Sequence, residues 1–133
     1  MRPRSIRGAI VDVLRTVIEI KTVVAAPKQK LAGPLPLVMI LYAGFNQSPA
    51  AAKTTQTIYN FDIDLYLPAK NMDQAYEDLL ELVPRILRAF RRNPGLNRTC
   101  YYSIVVSGAP FFNDSVEQPH IAHSFRVEAH TIE

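Results

Sequence analysis

Features that would mark an enzyme are scarce in this sequence of 133 residues. Cys100 is its one cysteine, so an intramolecular disulfide is excluded and cysteine content does not indicate the redox compartment. The simplest interpretation of Cys100 is a half-buried residue in a strand. The chain has neither GxGxxG nor GxxxxGK followed by Ser or Thr, the spacings of phosphate-binding loops. Ser103 and Ser107 lack the turn that exposes a nucleophilic serine. We therefore predict that the chain is not an enzyme and binds no cofactor.

Titratable residues are present, but the sequence does not bring them together. His120, His123 and His130 fall in one predicted strand, with His123 on one face and the other two on the opposite face, too far apart to share a metal ion. Asp62 and Asp64 share a strand face at a spacing of about 6.6–6.8 Å, which suits acid–base or metal chemistry. Alternatively, both carboxylates are ordinary solvent-facing side chains of a strand in which apolar and polar residues alternate. We predict no metal site.

The positive charge is concentrated near the start of the chain. Residues 1–30 contain seven Lys and Arg against Asp12 and Glu19, a net charge of +5, whereas the remainder carries −2. Such a region lies near a nucleic acid or an acidic partner, or forms an ordinary solvated helix face. A second basic group comprises Arg88, Arg91, Arg92 and Arg98. These arginines either contact a nucleic acid or an acidic partner, or they interact with the carbonyl groups at the C-terminus of a helix.

One uncharged run, Leu31–Ala52, has the length of a membrane span. Pro34 and Pro49 would break a helix there, so we predict a short strand with flanking loops and no membrane partner. No secretory signal is expected, because Asp12 and Arg15 interrupt the segment after the basic start.

Hydrophobic periodicity predicts one α+β domain over residues 1–133. Apolar residues recur at helical spacing over roughly 5–18 and over Met72–Arg92, where Pro84 is expected to kink the helix. The second helix has Asn71 or Asp73 as its N-cap, acidic residues in its first half and arginines in its second half. Its predicted apolar stripe comprises Met72, Ala75, Tyr76, Leu79, Val83, Ile86, Leu87 and Phe90.

Strands are predicted where apolar residues alternate with polar ones or form short continuous runs. We expect a single, mostly antiparallel sheet of four to five strands with the N-terminal helix and the long central helix on one face. The predicted strands are Lys21–Ala26, Leu37–Tyr42, Gln56–Leu67, Arg98–Ser107 and Ile121–Ile132. Long loops are predicted for Gly44–Thr55 and Gly108–His120.

Candidate contact residues come from three parts of the chain. The outward face of the strand Gln56–Leu67 presents polar side chains, the second long loop contains two adjacent phenylalanines, and the N-terminal region is basic. Adjacent phenylalanines in a polar loop either tuck under the loop or form a contact patch. The candidates are Asn60, Asp62 and Asp64 on the strand, Phe111, Phe112, Asn113 and Asp114 in the loop, and Arg4 and Arg7 at the start.

The order of predicted elements resembles the tail terminator proteins of long-tailed bacteriophages. That order is helix, strand, strand, long loop, long strand, long helix, strand, long loop and strand, and the chain length is similar. The segments that carry the resemblance are Ile6–Val17, Ile58–Leu67 followed by Pro68, Met72–Arg92, Tyr101–Ser107 and Phe125–Ile132.

The resemblance implies a structural role. Tail terminators form a ring, typically a hexamer, that caps the tail tube, ends its polymerisation and joins the tail to the head connector. It implies a virion protein assembled in the host cytoplasm, with itself, the tube protein and the connector protein as partners and with DNA passing through the lumen without sequence readout. Another neck or head–tail connector protein remains an alternative, and a small DNA-binding module is a further one.

In such a ring each subunit would present two different patches to its two neighbours. We expect the polar strand face or the 108–120 segment of one subunit to meet the basic N-terminal region of the next. The charge difference between residues 1–30 and the remainder motivates this hypothesis.

Overall fold

Five strands and two helices make up the described part of the chain, which in this computed structural model covers residues 2–26, 33–112 and 119–132. In chain order they are α1 (Arg2–Arg15), β1 (Thr22–Val24), β2 (Leu37–Ala51), β3 (Thr54–Pro68), α2 (Met72–Arg91), β4 (Tyr102–Phe111) and β5 (His120–Ile132). The strands form one mixed sheet in the order β1-β2-β3-β5-β4. The predicted α+β class is confirmed.

The sheet is antiparallel except at one edge. β1 pairs in parallel with β2, and every other neighbouring pair is antiparallel. β3 pairs with β5 from Pro68 opposite His120 to Gln56 opposite Ile132, and we name the two ends of the sheet the Pro68 end and the Ile132 end. α2 begins at the Pro68 end and runs to the Ile132 end, where the Tyr101 backbone N–H donates to the His130 carbonyl over 2.7 Å.

Both helices pack on the same face of the sheet, where they bury one large apolar cluster. The alternation of β3 and β5 points every second side chain toward the helices, and the helical stripes close over them. Central members from the sheet are Val38, Ile40, Phe61, Ile63, Phe125 and Val127, and those from the helices are Ile6, Ile10, Leu14, Leu79, Ile86 and Phe90.

A second, smaller cluster lies on the opposite face of the sheet. It contains Leu35, Leu37, Met39, Tyr66 and Ala122. Because Leu37 and Met39 belong to this cluster while Val38 and Ile40 belong to the larger one, the start of β2 is covered on both faces. The prediction that the Leu37–Tyr42 run is covered on both faces is therefore confirmed for its first four residues, which are all buried.

The second helix keeps its predicted cap. Asn71 lies in an extended conformation, and its Oδ1 accepts a hydrogen bond from the Gln74 backbone N–H over 3.2 Å. The helix continues through Pro84 to Arg91. Met72 and Tyr76, which were predicted on the buried stripe, are exposed, and Leu82 is buried instead. The buried stripe is thus rotated toward Leu82, which leaves one apolar side of the helix uncovered.

Two predicted loops are strands over much of their length. Gly44–Thr55 is the hairpin between β2 and β3, and Gly108–Phe111 is the end of β4. Both misassigned segments contain a proline, Pro49 or Pro110, which argues against a strand in the interior of a sheet. Proline is tolerated in edge strands, where its missing N–H removes no necessary ladder bond. β4 forms one edge of the sheet, and β1 covers β2 only along Leu37–Met39.

Other element boundaries shift by a few residues. α1 occupies Arg2–Arg15 rather than 5–18, since Pro3 is compatible with the first turn of a helix. β4 begins at Tyr102 rather than Arg98, because the preceding residues form a turn that also contains the buried Cys100. Within the described residues no helix combines the length and the hydropathy needed to cross a membrane.

Candidate protein-interaction surface

The polar face of β3 is largely satisfied within the chain. Asp62 lies directly opposite Arg126 on β5, and two hydrogen bonds join them, Arg126 Nε to Oδ1 at 2.5 Å and Nη2 to Oδ2 at 3.2 Å. This pairing raises the pKa of the Arg126 guanidinium, chiefly through the hydrogen bond to Asp62. Because Arg126 compensates the charge of Asp62, the attraction between Asp62 and the basic N-terminal region of another copy is weakened.

Asn60 and Asp64, the other two candidates on this strand, are less exposed than predicted. Asn60 is buried, so its assignment to a solvent-facing surface was wrong. β3 lies between β2 and β5, and side chains of both neighbouring strands cover a central strand. Asp64 is partly buried, and this burial raises the pKa of its carboxyl group, while a hydrogen bond from Ser124 opposes the shift.

An open polar hollow of about 560 Å³ lies beside this ion pair on the face away from the helices. Asp62, Arg126 and Glu128 contribute its charges, and Ser107 and Ser124 contribute hydroxyl groups. The hollow can accept hydrogen bonds from a polar ligand, but Arg126 already pairs with Asp62, which leaves Glu128 as the carboxylate without a guanidinium partner there. Within the described residues no group of three or more His, Cys, Asp or Glu side chains could hold a metal ion.

The three histidines pack against three different aromatic rings. His130 stacks on Tyr102 with ring centroids 4.2 Å apart, and its Nε2 lies 3.1 Å from Glu128 Oε1. His123 lies against Phe125 and His120 against Tyr66. Burial lowers the pKa of His123, with a backbone hydrogen bond at Ser124 opposing the shift. The histidines thus serve as packing residues at separate positions along β5.

The two adjacent phenylalanines separate. Phe111 is partly buried, and its ring meets Tyr66 edge-on with centroids 5.8 Å apart. Phe112 is 85% exposed. Phe111 therefore packs against the sheet as one interpretation predicts, whereas a contact role for the exposed Phe112 stays a prediction. Asn113 and Asp114 lie outside the described residues.

Phe112 borders an apolar groove at the Pro68 end of the sheet. The groove has a volume of about 510 Å³ and lies between α2 and the strand segments around Pro110 and His120. Three exposed side chains on α2 form its helical wall, namely Met72, Tyr76 and Leu80, and they follow one another at intervals of four residues. We call these three residues, with Pro110 and Phe112, the α2 groove. The exposed carboxylates of Asp73 and Glu77 lie on the same turns of the helix.

A basic surface lies at the opposite end of the molecule. The Arg2 guanidinium donates from Nη1 to the Thr99 carbonyl over 2.9 Å, which brings the start of α1 to the turn that follows α2. Of the predicted N-terminal contacts, Arg4 is exposed and Arg7 is partly buried. The fold therefore brings together arginines that are far apart in the sequence, and the exposed members of this surface include Arg2, Arg4, Arg91, Arg92 and Arg98.

The turn over residues 93–101 has an unusual backbone. Leu96, Asn97 and Arg98 have φ angles of 46°, 56° and 66°. This left-handed backbone conformation is energetically unfavourable for residues that have a Cβ atom. Hydrogen bonds between Asn93 and Asn97 and from Asn97 to Asp12 fix this turn. We call residues 93–101 the left-handed turn. It holds Arg98 and the 76%-exposed Tyr101 at the surface.

We expect the stability of the chain to respond to the charge of Asp64. Its raised pKa means that the folded state binds a proton more readily than the unfolded chain, so ionisation of Asp64 opposes folding as pH rises through that pKa. Asp64→Asn should therefore be more stable than the wild type at neutral pH, and the difference should shrink as pH falls toward the ordinary carboxyl range. Urea denaturation at both pH values measures this.

Asp62→Asn is the matched control for this prediction. It removes the same charge two residues away but breaks the hydrogen bonds to Arg126, so it should lower stability at neutral pH. A decrease of equal size in both variants would contradict the assigned role of Asp64 burial.

Sequence reasoning found part of this surface. It singled out Phe112 and Arg4 but placed Met72 and Tyr76 in the core, and it did not single out Tyr101 as a contact residue. No family model matches this sequence, and no curated protein sequence matches it.

Proposed function

We propose that this chain is a structural virion protein that forms a ring on the end of a phage tail tube. In this role the ring ends tube polymerisation and joins the tail to the head connector. The proposal rests on the resemblance in element order, together with a surface suited to protein assembly. Its partners would be further copies of itself, the tube protein and the connector protein, with DNA passing through the lumen. Another neck connector protein is the alternative of the same kind.

The observation that carries the proposal is the amount of exposed apolar surface. Within the described residues, twelve large apolar side chains are exposed, on a chain of only 133 residues. Four of them, Met72, Tyr76, Leu80 and Phe112, line one groove, and apolar side chains grouped in this way mark protein–protein contact sites. Three of these side chains, Tyr102, Ile104 and Val106, belong to the edge strand β4.

Both open edges of the sheet also lack charged residues. Neither β4 nor β2, which is open beyond the segment that β1 covers, contains Lys, Arg, Asp or Glu. Each of them has a proline, and β2 has two register shifts and β4 has one. Charged side chains are a common protection of exposed strand edges against pairing with another chain. Strand edges without charged side chains therefore favour the interpretation that these edges are covered by other subunits in an assembly.

Electron microscopy and light scattering of the purified protein test this proposal. We expect closed rings in negative stain and a solution mass that is an integral multiple, above two, of the 15.0 kDa chain. Adding the protein to polymerising tube protein should shorten the tubes, whereas a connector protein would leave tube length unchanged. A monomer that binds duplex DNA tightly at low salt, with affinity falling steeply as salt rises, would replace the proposal with the DNA-binding alternative.

A further inference from the structure

We infer that neighbouring copies join by inserting Tyr101 and Arg98 of one copy into the α2 groove of the next. This inference rests on the proposed function, since it requires that the chain assembles with itself. The occupant of the groove is thus a second copy of this chain, and the contact is made by two different surfaces. Such heterologous contacts build rings when the rotation between copies closes.

The positions of the two surfaces make the contact necessarily intermolecular. The groove lies where α2 begins, at the Pro68 end, and the left-handed turn lies beyond the end of α2, at the Ile132 end. Tyr76 and Arg91 alone are separated by about 22 Å along the helix axis at ~1.5 Å per residue. Tyr101 therefore cannot reach the groove of its own chain.

The chemistry of the two surfaces is complementary. The groove has an apolar wall formed by Met72, Tyr76 and Leu80, and the exposed carboxylates of Asp73 and Glu77 lie on the same helical turns. The left-handed turn presents an exposed aromatic ring and an exposed guanidinium three residues apart. Aromatic residues, Met and Arg are the residue types enriched at protein interfaces. The carboxylates beside the groove add charge complementarity to the incoming arginine.

The charge of the two ends extends this complementarity beyond the single pair. Asp73, Glu77 and Glu81 are exposed on the first half of α2, whereas Arg91 and Arg92 are exposed at its end. A head-to-tail arrangement of copies places the acidic half of one helix near the arginine end of the next. Because a single chain supplies both charges, a second copy fits the groove without any other protein.

The backbone of the left-handed turn supports the same assignment. Three consecutive residues with side chains are held at positive φ, and such unfavourable conformations concentrate at functional sites, where the surrounding structure holds them. Here the surrounding structure is a network of hydrogen bonds through Asn93, Asn97 and Asp12. This network holds the backbone at the exposed Arg98 in a conformation that is neither helical nor extended.

Reversing the two charges in turn tests the contact. Arg98→Glu and Glu77→Arg should each raise the dissociation constant of the assembly about tenfold or more, because each places like charges together. The double variant should restore assembly. Light scattering over a dilution series measures this, and circular dichroism verifies that each variant is folded. Arg15→Glu, which reverses another exposed arginine away from the turn, is the matched control and should leave the mass unchanged.

Disulfide trapping tests the position of the left-handed turn against the groove. In a Cys100→Ser background, a chain carrying both Asp73→Cys and Arg98→Cys keeps Tyr101 and the apolar wall, and it should give a ladder of covalent multimers under mild oxidation. Formation of each bond requires the two Cα atoms to lie within about 7 Å. Each single cysteine variant is the control, and it can give at most a covalent dimer.

The outcomes separate this inference from the proposed function. A ring whose mass resists both charge reversals, and whose cysteine pair yields no ladder, would overturn the contact and leave the ring intact. A groove that instead binds tube protein, with that binding lost in Glu77→Arg, would assign the groove to a different occupant. A wild-type chain that stays monomeric would overturn the contact and the proposed function together.

Discussion

Replacing Phe125 with alanine is expected to lower the free energy of unfolding by about 3–5 kcal/mol. Phe125 is 1% exposed and lies on β5, between β3 and β4, where both helices close over the same apolar cluster. Removing its ring leaves a cavity that this sheet cannot readily fill, because its neighbouring strands are fixed by backbone pairing on both sides. Urea denaturation, with the slope compared between variants, measures the loss.

Phe112→Ala is the control for this prediction. It removes an identical ring from an exposed position, so the free energy of unfolding should change by no more than about 0.5 kcal/mol. If the two variants lost equal stability, the apolar cluster under the helices would not be the main core of this domain.

Replacing Pro84 with alanine is expected to stabilise the fold by about 2 kcal/mol. Pro84 lies in the interior of α2 and is exposed, so alanine would restore the missing backbone hydrogen bond without disturbing the core. The greater freedom of alanine in the unfolded chain offsets part of the gain. The melting temperature by calorimetry measures the change.

Pro94→Ala is the matched control, since Pro94 lies in the turn after α2 and outside any helix. We expect a change of less than about 1 kcal/mol at this position. A lower melting temperature for Pro84→Ala would mean that packing of the Pro84 ring along the α2 groove outweighs the lost backbone bond.

Periodicity predicted the elements whose side chains face one core. β5 alternates between buried and partly exposed residues along most of its length and β3 does so over Phe61–Leu65, so both strands have a signal that the sequence shows. α2 was predicted to within one residue at its end, and Asn71 was among the residues predicted to cap it. These elements have local signals that agree with their tertiary surroundings, which is why they can be recognised without a structure.

The errors arose where tertiary position overrides a local signal. Pro49 and Pro110 argue against a strand unless the strand is known to lie at an edge, and sheet order is not visible in one sequence. Leu96, Asn97 and Arg98 have no glycine among them that would signal a left-handed turn. Each error therefore depends on a contact or a backbone conformation that residue type does not encode.

The candidate surface was predicted only in part for a related reason. In a sequence, an apolar helical stripe that is wider than the core beneath it has the same pattern as a stripe that is fully buried. Met72 and Tyr76, which are exposed, were therefore assigned to the core. The grouping of Arg4 with Arg98 depends on the contact between Arg2 and Thr99, which are 97 residues apart. The role of this surface in assembly stays a prediction.

The pairing of β3 with β5 also has a consequence for how the chain folds. β2 and β3 are joined by a tight hairpin and can pair early, because closing a short loop costs little entropy. The centre of the sheet instead joins residues such as Asp62 and Arg126, which are 64 positions apart and enclose α2 and β4 between them. We therefore expect the slowest step to be the docking of β5 onto a preformed hairpin, with the central strands exposed until β5 has paired.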